Sequence, residues 1–157
     1  MTAIEAASAD LSSAQHERAR RLALLARASR DELEAAWAAL PVQPSVTALR
    51  GPETGLVMLR GRMGGDGAPF NLGEATVSRA SVRLGDGSVG HGQRLGGDRQ
   101  AARLSAIFDA LAEGGDRVAV DALCAAIAAR VEADAAREAA ETAATRVNFF
   151  TLVRGED

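Results

Sequence analysis

Residues 62–84 read RMGGDGAPFNLGEATVSRASVRL, and this segment predicts β-structure in the middle of the chain. It begins with a glycine-rich run at 64–67 and continues as a long strand. A Walker-type phosphate loop needs GxxxxGK[ST] between a strand and a helix, but the sequence has no lysine and a strand follows Gly67. The GxGxxG pattern that opens a dinucleotide-binding helix is missing as well. We therefore interpret residues 64–67 as a hairpin turn.

Further β-rich runs lie on both sides of this turn. "SVTALR" and "GLVMLRGRM" precede it, separated by "GPET", in which Gly and Pro indicate a turn. The long run after it predicts a bend or bulge near Gly73, and an Asp-Gly pair at 86–87 predicts a tight turn into one more strand. The predicted strands cover 45–50, 55–63, 70–84 and 88–94.

Helical patterns flank the strands. Capping-box pairs, Ser12 with Gln15 and Ser29 with Glu32, predict two short N-terminal helices. Asp98 caps a third helix that ends at the glycines 114–115, and a fourth runs over about 118–146. The expected fold is α+β: a four-stranded antiparallel meander sheet with an N-terminal helical pair and two C-terminal helices packed on it.

The long fourth helix is uneven in composition. Its first half has an apolar stripe that includes Val120 and Ile127, whereas its second half has only alanine between charged residues. Such a half-helix either projects into solvent or is covered by another chain. We expect residues 1–157 to form a single domain, with a flexible lead-in at 1–11 and a hydrophobic tail at 147–157.

Composition excludes several classes of protein. The formal net charge of −3 argues against broad attraction to nucleic acid or to an anionic membrane, and the sequence shows no signal peptide and no apolar run that would span a bilayer. A lone cysteine, Cys124, excludes a disulfide framework and a multi-cysteine metal site. We expect a cytoplasmic protein that binds neither nucleic acid nor membrane.

Arginines supply the main candidates for binding. All 18 basic residues are arginine, which suits bidentate contact with phosphate or carboxylate. If the two strands around the glycine turn pair as a hairpin, four arginines lie on a common surface unless a bulge alters the phase. That surface suits a polyanion such as a triphosphate, an acidic partner, or plain solvent. The candidates are Arg60, Arg62, Arg79 and Arg83.

The C-terminal tail supplies a second candidate surface. Its apolar residues either pack on the core of the same chain or dock on another protein, since aromatic residues are enriched in interface cores. His91 lies among glycines where a ligand can reach it, and Cys124 lies on an apolar stripe. The residues form no complete catalytic constellation, and we assign none as catalytic or metal-binding. The tail candidates are Phe149, Phe150, Leu152 and Val153.

Several motifs occur in an order that identifies a family. They are "ETGLV" at 53–57, "RMGG" at 62–65, "GEATVSRASVRL" at 73–84, "DG" at 86–87 and "RVNFFTLVRG" at 146–155. From about Arg50 to Gly155 the chain resembles PhnG, a family of subunits of the bacterial carbon–phosphorus lyase core complex.

The resemblance implies a function that the residues alone do not. It implies a non-catalytic or accessory subunit that works with PhnI, PhnH, PhnJ and PhnL and is present in two copies per complex. That complex transfers the ribose 5-triphosphate moiety of ATP to an alkylphosphonate, with the catalytic residues on partner subunits and no cofactor bound by this chain alone. Two alternatives remain: an independent nucleotide-binding enzyme, or a regulator that binds nucleic acid through the helical pair.

Overall fold

The computed structural model describes residues 13–64 and 66–145. Within these ranges one antiparallel sheet has the strand order β1-β2-β3, which agrees with the predicted α+β class. The predicted lead-in at 1–11, the capping residue Ser12 and the tail at 147–157 lie outside the described residues. The elements in chain order are α1 (Ser13–Arg27), α2 (Arg30–Ala38), β1 (Val46–Arg62), β2 (Pro69–Leu84), β3 (Val89–Leu95), α3 (Arg99–Gly114) and α4 (Arg117–Ala144).

The prediction of a four-stranded sheet is wrong, because the GPET segment does not reverse the chain. β1 runs straight through it, and the described residues form three strands. Arg50 pairs with Ser81 and Glu53 pairs with Arg79, so two residues of β1 stand opposite one residue of β2. This is a β-bulge, and Gly51 within it has a φ of 63°, a conformation that costs glycine little.

The bulge predicted near Gly73 is confirmed. Leu59 pairs with Gly73 while the next residue, Arg60, pairs with Asn71, which leaves Leu72 as the extra residue of β2. Beyond this bulge the pairing continues to Arg62 and Pro69. The glycine-rich run therefore connects two paired strand ends, as expected of a hairpin turn.

Two glycines set the distance between the sheet and α3. A Cβ atom at Gly90 would lie 2.1 Å from the carbonyl oxygen of Ala106, and one at Gly92 would lie 2.1 Å from that of Ala102. No side chain fits in that space, so β3 lies directly against the helix backbone. Alanines four residues apart on α3 make the same approach possible from the other side.

Capping and ion pairs set the helix positions. The capping box of Ser29 and Glu32 is present, and Asp98 accepts a hydrogen bond from the backbone N–H of Ala101 at the start of α3, as predicted. Arg130 of α4 donates to Glu32 at 2.7 Å and to the carbonyl oxygen of Arg27 at 2.8 Å. One side chain thereby ties α4 to the junction of α1 and α2.

The hydrophobic core lies between the sheet and the helices, with α3 at its centre. Leu104, Ile107 and Phe108 of α3 are fully buried among residues of α1, α2, β2 and α4. In α4 the last fully buried residue is Ile127, and Val131 packs at the edge of the core. The alanine-rich second half of α4 is therefore exposed in the described chain.

Candidate functional site

The sheet has two unlike sides. One side packs on α3: Ala80 and Val82 are buried there, and Arg99 of α3 donates to the Thr54 hydroxyl at 3.1 Å. We call this the helix side. The other, which carries Arg79 and Arg83, is the open side.

The strand register separates the four candidate arginines into two pairs. Thr54 pairs with Ser78 on the helix side, so alternation along β1 places Arg60 and Arg62 on that side too. Arg79 and Arg83 lie on the open side. The predicted hairpin therefore forms, but Arg60 and Arg62 lie on one side of the sheet and Arg79 and Arg83 lie on the other. Whether any of them contacts phosphate or a partner stays a prediction.

Arg79 belongs to a small charged cluster on the open side. Its guanidinium donates to Glu53 at 2.7 Å, and Arg50 donates to the same carboxylate oxygen at 2.7 Å. The hydrogen bonds from Arg50 and then Arg79 lower the pKa of Glu53. One carboxylate therefore faces two cations. Since Arg83, on the same side, forms no ion pair with any described residue, the cluster carries excess positive charge.

Ser81 and His91 lie at the centre of this open-side cluster. Ser81 Oγ and His91 Nδ1 are 2.9 Å apart, and Ser81 is flanked along β2 by Arg79 and Arg83. Hydroxyl, imidazole and guanidinium donors on one face suit a phosphate group. A Ser-His-Asp type of nucleophile also needs a carboxylate on the imidazole, and no described carboxylate bonds to the His91 ring. The arrangement supports anion binding and lacks the parts of an acyl-transfer site.

Behind the sheet, a buried carboxylate holds this face in place. Asp109 of α3 is 0% exposed and accepts hydrogen bonds from Arg18 at 2.7 Å, from Arg21 at 3.1 Å and from the backbone N–H of His91 at 3.0 Å. Glu113, one turn further along α3, is paired with both arginines. This network joins α1, α3 and β3, and thereby positions the strand that carries His91.

Sequence reasoning missed the Asp109 network. The signal was present, because Asp109 interrupts an apolar run of α3 between Phe108 and Ala110. A charged residue among core positions indicates a buried partner of opposite charge. Arg18 and Arg21, three residues apart on α1, were the available cations, but only the tertiary structure shows which helix they face.

Other chemistry is sparse in the described chain. Burial raises the pKa of the Cys124 thiol, which is consistent with its predicted place on an apolar stripe and unlike a nucleophile. Residues 13–64 and 66–145 contain no group of His, Cys, Asp and Glu that would hold a metal ion. In the same ranges no helix has the length and apolar character to cross a bilayer.

The most distinctive surface is the part of the β1–β2 hairpin that extends beyond β3 toward the glycine-rich turn. β3 pairs with β2 only as far as Val77, so residues 55–62 of β1 and 69–76 of β2 continue as a two-stranded β-ribbon. Its large apolar side chains are exposed: Leu56 by 63%, Met58 by 53% and Leu72 by 65%. Val57, Leu59 and Phe70 add to this surface. The tail candidates Phe149, Phe150, Leu152 and Val153 lie outside the described residues.

Comparison with known proteins shows which family of proteins the chain matches. Residues 16–155 match the family model described as "Phosphonate metabolism protein PhnG". The chain is also 62% identical, over 135 residues, to a protein of Rhizobium meliloti (strain 1021) named "Alpha-D-ribose 1-methylphosphonate 5-triphosphate synthase subunit PhnG". That alignment covers 85% of this chain and 86% of the relative.

Proposed function

Because the chain belongs to the PhnG family, we propose that it is an accessory subunit of a complex that transfers the ribose 5-triphosphate moiety of ATP to an alkylphosphonate. This is a step of the carbon–phosphorus lyase pathway. The observation that carries the proposal is the match to a synthase subunit over most of both chains. The exposed apolar β-ribbon supports it, because a contiguous apolar surface of this kind marks a site of protein contact.

The finer form of the proposal concerns partners and the division of labour. We infer that the chain works in the cytoplasm with PhnI, PhnH, PhnJ and PhnL, in two copies per complex. The catalytic residues then belong to partner subunits, ATP is a substrate of the whole complex, and this chain binds no cofactor alone. The relative's name, which describes it as a subunit of a synthase, supports a multi-subunit enzyme.

Native mass spectrometry of the chain, alone and coexpressed with the other Phn subunits, tests the proposal. The expected result is a discrete complex that retains this chain in two copies. A stable monomer that does not bind these subunits contradicts the proposal. Titration of the isolated chain with ATP tests the independent-enzyme alternative, for which saturable binding and turnover without partners is the signature.

The open-side arginines are proposed to contact the triphosphate within the assembled complex. Their support is the excess positive charge around Ser81, with Arg83 unpaired among described residues. Arg79→Ala with Arg83→Ala is expected to raise the KM for ATP while the complex still assembles. Arg117→Ala is the matched control, since this exposed arginine of α4 pairs only weakly with Glu17, at 3.8 Å. An unchanged KM in the double variant means that Arg79 and Arg83 do not contact the triphosphate.

A further inference from the structure

We propose that the β-ribbon (residues 55–62 and 69–76) is an arm that inserts into a cleft of a partner subunit. One wall of that cleft is apolar and lies against the open side of the ribbon. The opposite wall presents carboxylates to Arg60 and Arg62. This inference rests on the proposed function, since it requires a partner subunit.

The described part of the chain gives the ribbon little support. Past Val77 it has two strands, whereas the body of the sheet has three strands backed by α3. A lone two-stranded hairpin is at best marginally stable in water. A hairpin that ends in solvent would also be expected to alternate polar and apolar residues. Here Leu56 and Met58 expose apolar side chains on the helix side, and Val57 and Leu59 do so on the open side. Docking on one face would leave the other uncovered, so a cleft that covers both fits better.

The distribution of charged side chains on the ribbon predicts the chemical character of the two walls of the partner's cleft. On the open side, the paired positions Val57–Ala75, Leu59–Gly73 and Gly61–Phe70 carry no charged side chain. On the helix side, Arg60 and Arg62 follow the apolar residues toward the turn. Neither forms an ion pair with a described residue, and Arg62 donates only to the carbonyl oxygen of Gly67, at 3.1 Å. An enclosed arginine needs an anion beside it, so the partner wall must carry carboxylates there.

The same charges argue against a second copy of this chain as the occupant. On the helix side of the ribbon only Glu74, paired with Met58, opposes the two arginines. Two ribbons packed by their helix sides would enclose more arginines than carboxylates, and two ribbons packed by their open sides would leave the apolar residues of both helix sides uncovered. A partner of different sequence removes that mismatch.

The ribbon also has free hydrogen-bonding edges. No described strand pairs with the outer edge of β1, and none pairs with the outer edge of β2 between Pro69 and Ala75. An extended segment of the partner can add to either edge through backbone hydrogen bonds. Backbone amides of the ribbon should then become protected only in the complex.

Variants of the ribbon test the inference in the coexpressed complex. Leu59→Asp places a charge on the apolar open side, and Arg60→Glu with Arg62→Glu reverses the charge of the helix side. Each is expected to weaken retention of this chain at least tenfold. Val42→Asp, at a residue 81% exposed outside the ribbon, is the control and should assemble as the unmodified chain does. Circular dichroism of each isolated variant checks that the body is folded, which is expected because the ribbon residues are exposed.

Hydrogen exchange separates the outcomes. Ribbon amides that exchange fast in the isolated chain and at least tenfold more slowly in the complex support the inference. Ribbon variants that assemble normally, with ribbon amides equally fast in both states, overturn it while leaving the proposed function intact. Protection that appears in the isolated chain at high concentration identifies a second copy as the occupant and overturns it too. If the unmodified chain fails to join the complex, the proposed function itself has failed.

Discussion

Replacing Asp109 with alanine tests whether the buried ion cluster holds α1 and β3 on α3. The carboxylate is 0% exposed and accepts from Arg18 at 2.7 Å, from Arg21 at 3.1 Å and from the His91 amide at 3.0 Å. Removing one member of a buried pair costs about 3–5 kcal/mol, because the other charge is left uncompensated. An unpaired amide adds about 1–3 kcal/mol. Since Glu113 still faces both arginines, we expect a total of about 3–5 kcal/mol.

Urea unfolding of the isolated chain measures this loss. With a slope of about 2 kcal/mol per molar urea, the midpoint should fall by about 1.5–2.5 M. Asp109→Asn should cost less, because its amide oxygen still accepts from the His91 N–H. Glu113→Gln, at a side chain 33% exposed, should cost under about 1 kcal/mol. A loss below about 1 kcal/mol for Asp109→Ala would refute the argument, since the cluster would then contribute no more than a surface pair.

Three further predictions concern packing, pH and thiol reactivity. Gly92→Ala should destabilise the fold by about 1–3 kcal/mol in thermal unfolding, because its Cβ would meet the backbone of Ala102; a neutral result means that β3 can move off α3. The hydrogen bond from Arg30 lowers the pKa of Asp98 to about 2, so this ion pair stabilises the fold above pH 4 and is lost as the pH falls through about 2. Asp98→Asn keeps the helix cap but loses the pair, so its deficit in stability relative to the unmodified chain should be present at pH 7 and disappear below about pH 2. Cys124 should react with iodoacetamide far more slowly in the folded chain than in urea, whereas equal rates would mean that the thiol is accessible.

Local chemistry made much of the secondary structure predictable. The box of Ser29 and Glu32 and the cap of Asp98 are decided within four residues, so the helix starts followed from sequence alone. Gly115 ended α3 for the same reason, with a φ of 104° that favours glycine. Each of these signals depends only on neighbours along the chain.

The strand count was not decided locally. Gly51 and Pro52 are typical of a turn, but the same residue types also fill a bulge, and only pairing with β2 distinguishes the two. The side of the sheet on which each arginine lies could not be predicted from the sequence for a related reason. Alternation predicts which residues share one strand face, but the bulge at Leu72 of β2 changes which faces of the two strands coincide. Tertiary pairing, absent from the local pattern, also determined the partners of Asp109.

The exposed second half of α4 determines how far the helix extends beyond the core and in which direction around the helix axis its last residues face. Thirteen residues separate Val131 from Thr145, the last described position, and at about 1.5 Å per residue they extend the helix by roughly 20 Å beyond the core. The pairs of Asp134 with Arg130 and Arg137 stiffen its base. The length of this helix and the angular position of its last residues are therefore coupled. Deleting four residues would shorten the helix by about 6 Å and rotate its end by only about 40°, whereas deleting two would rotate the end by about 200°.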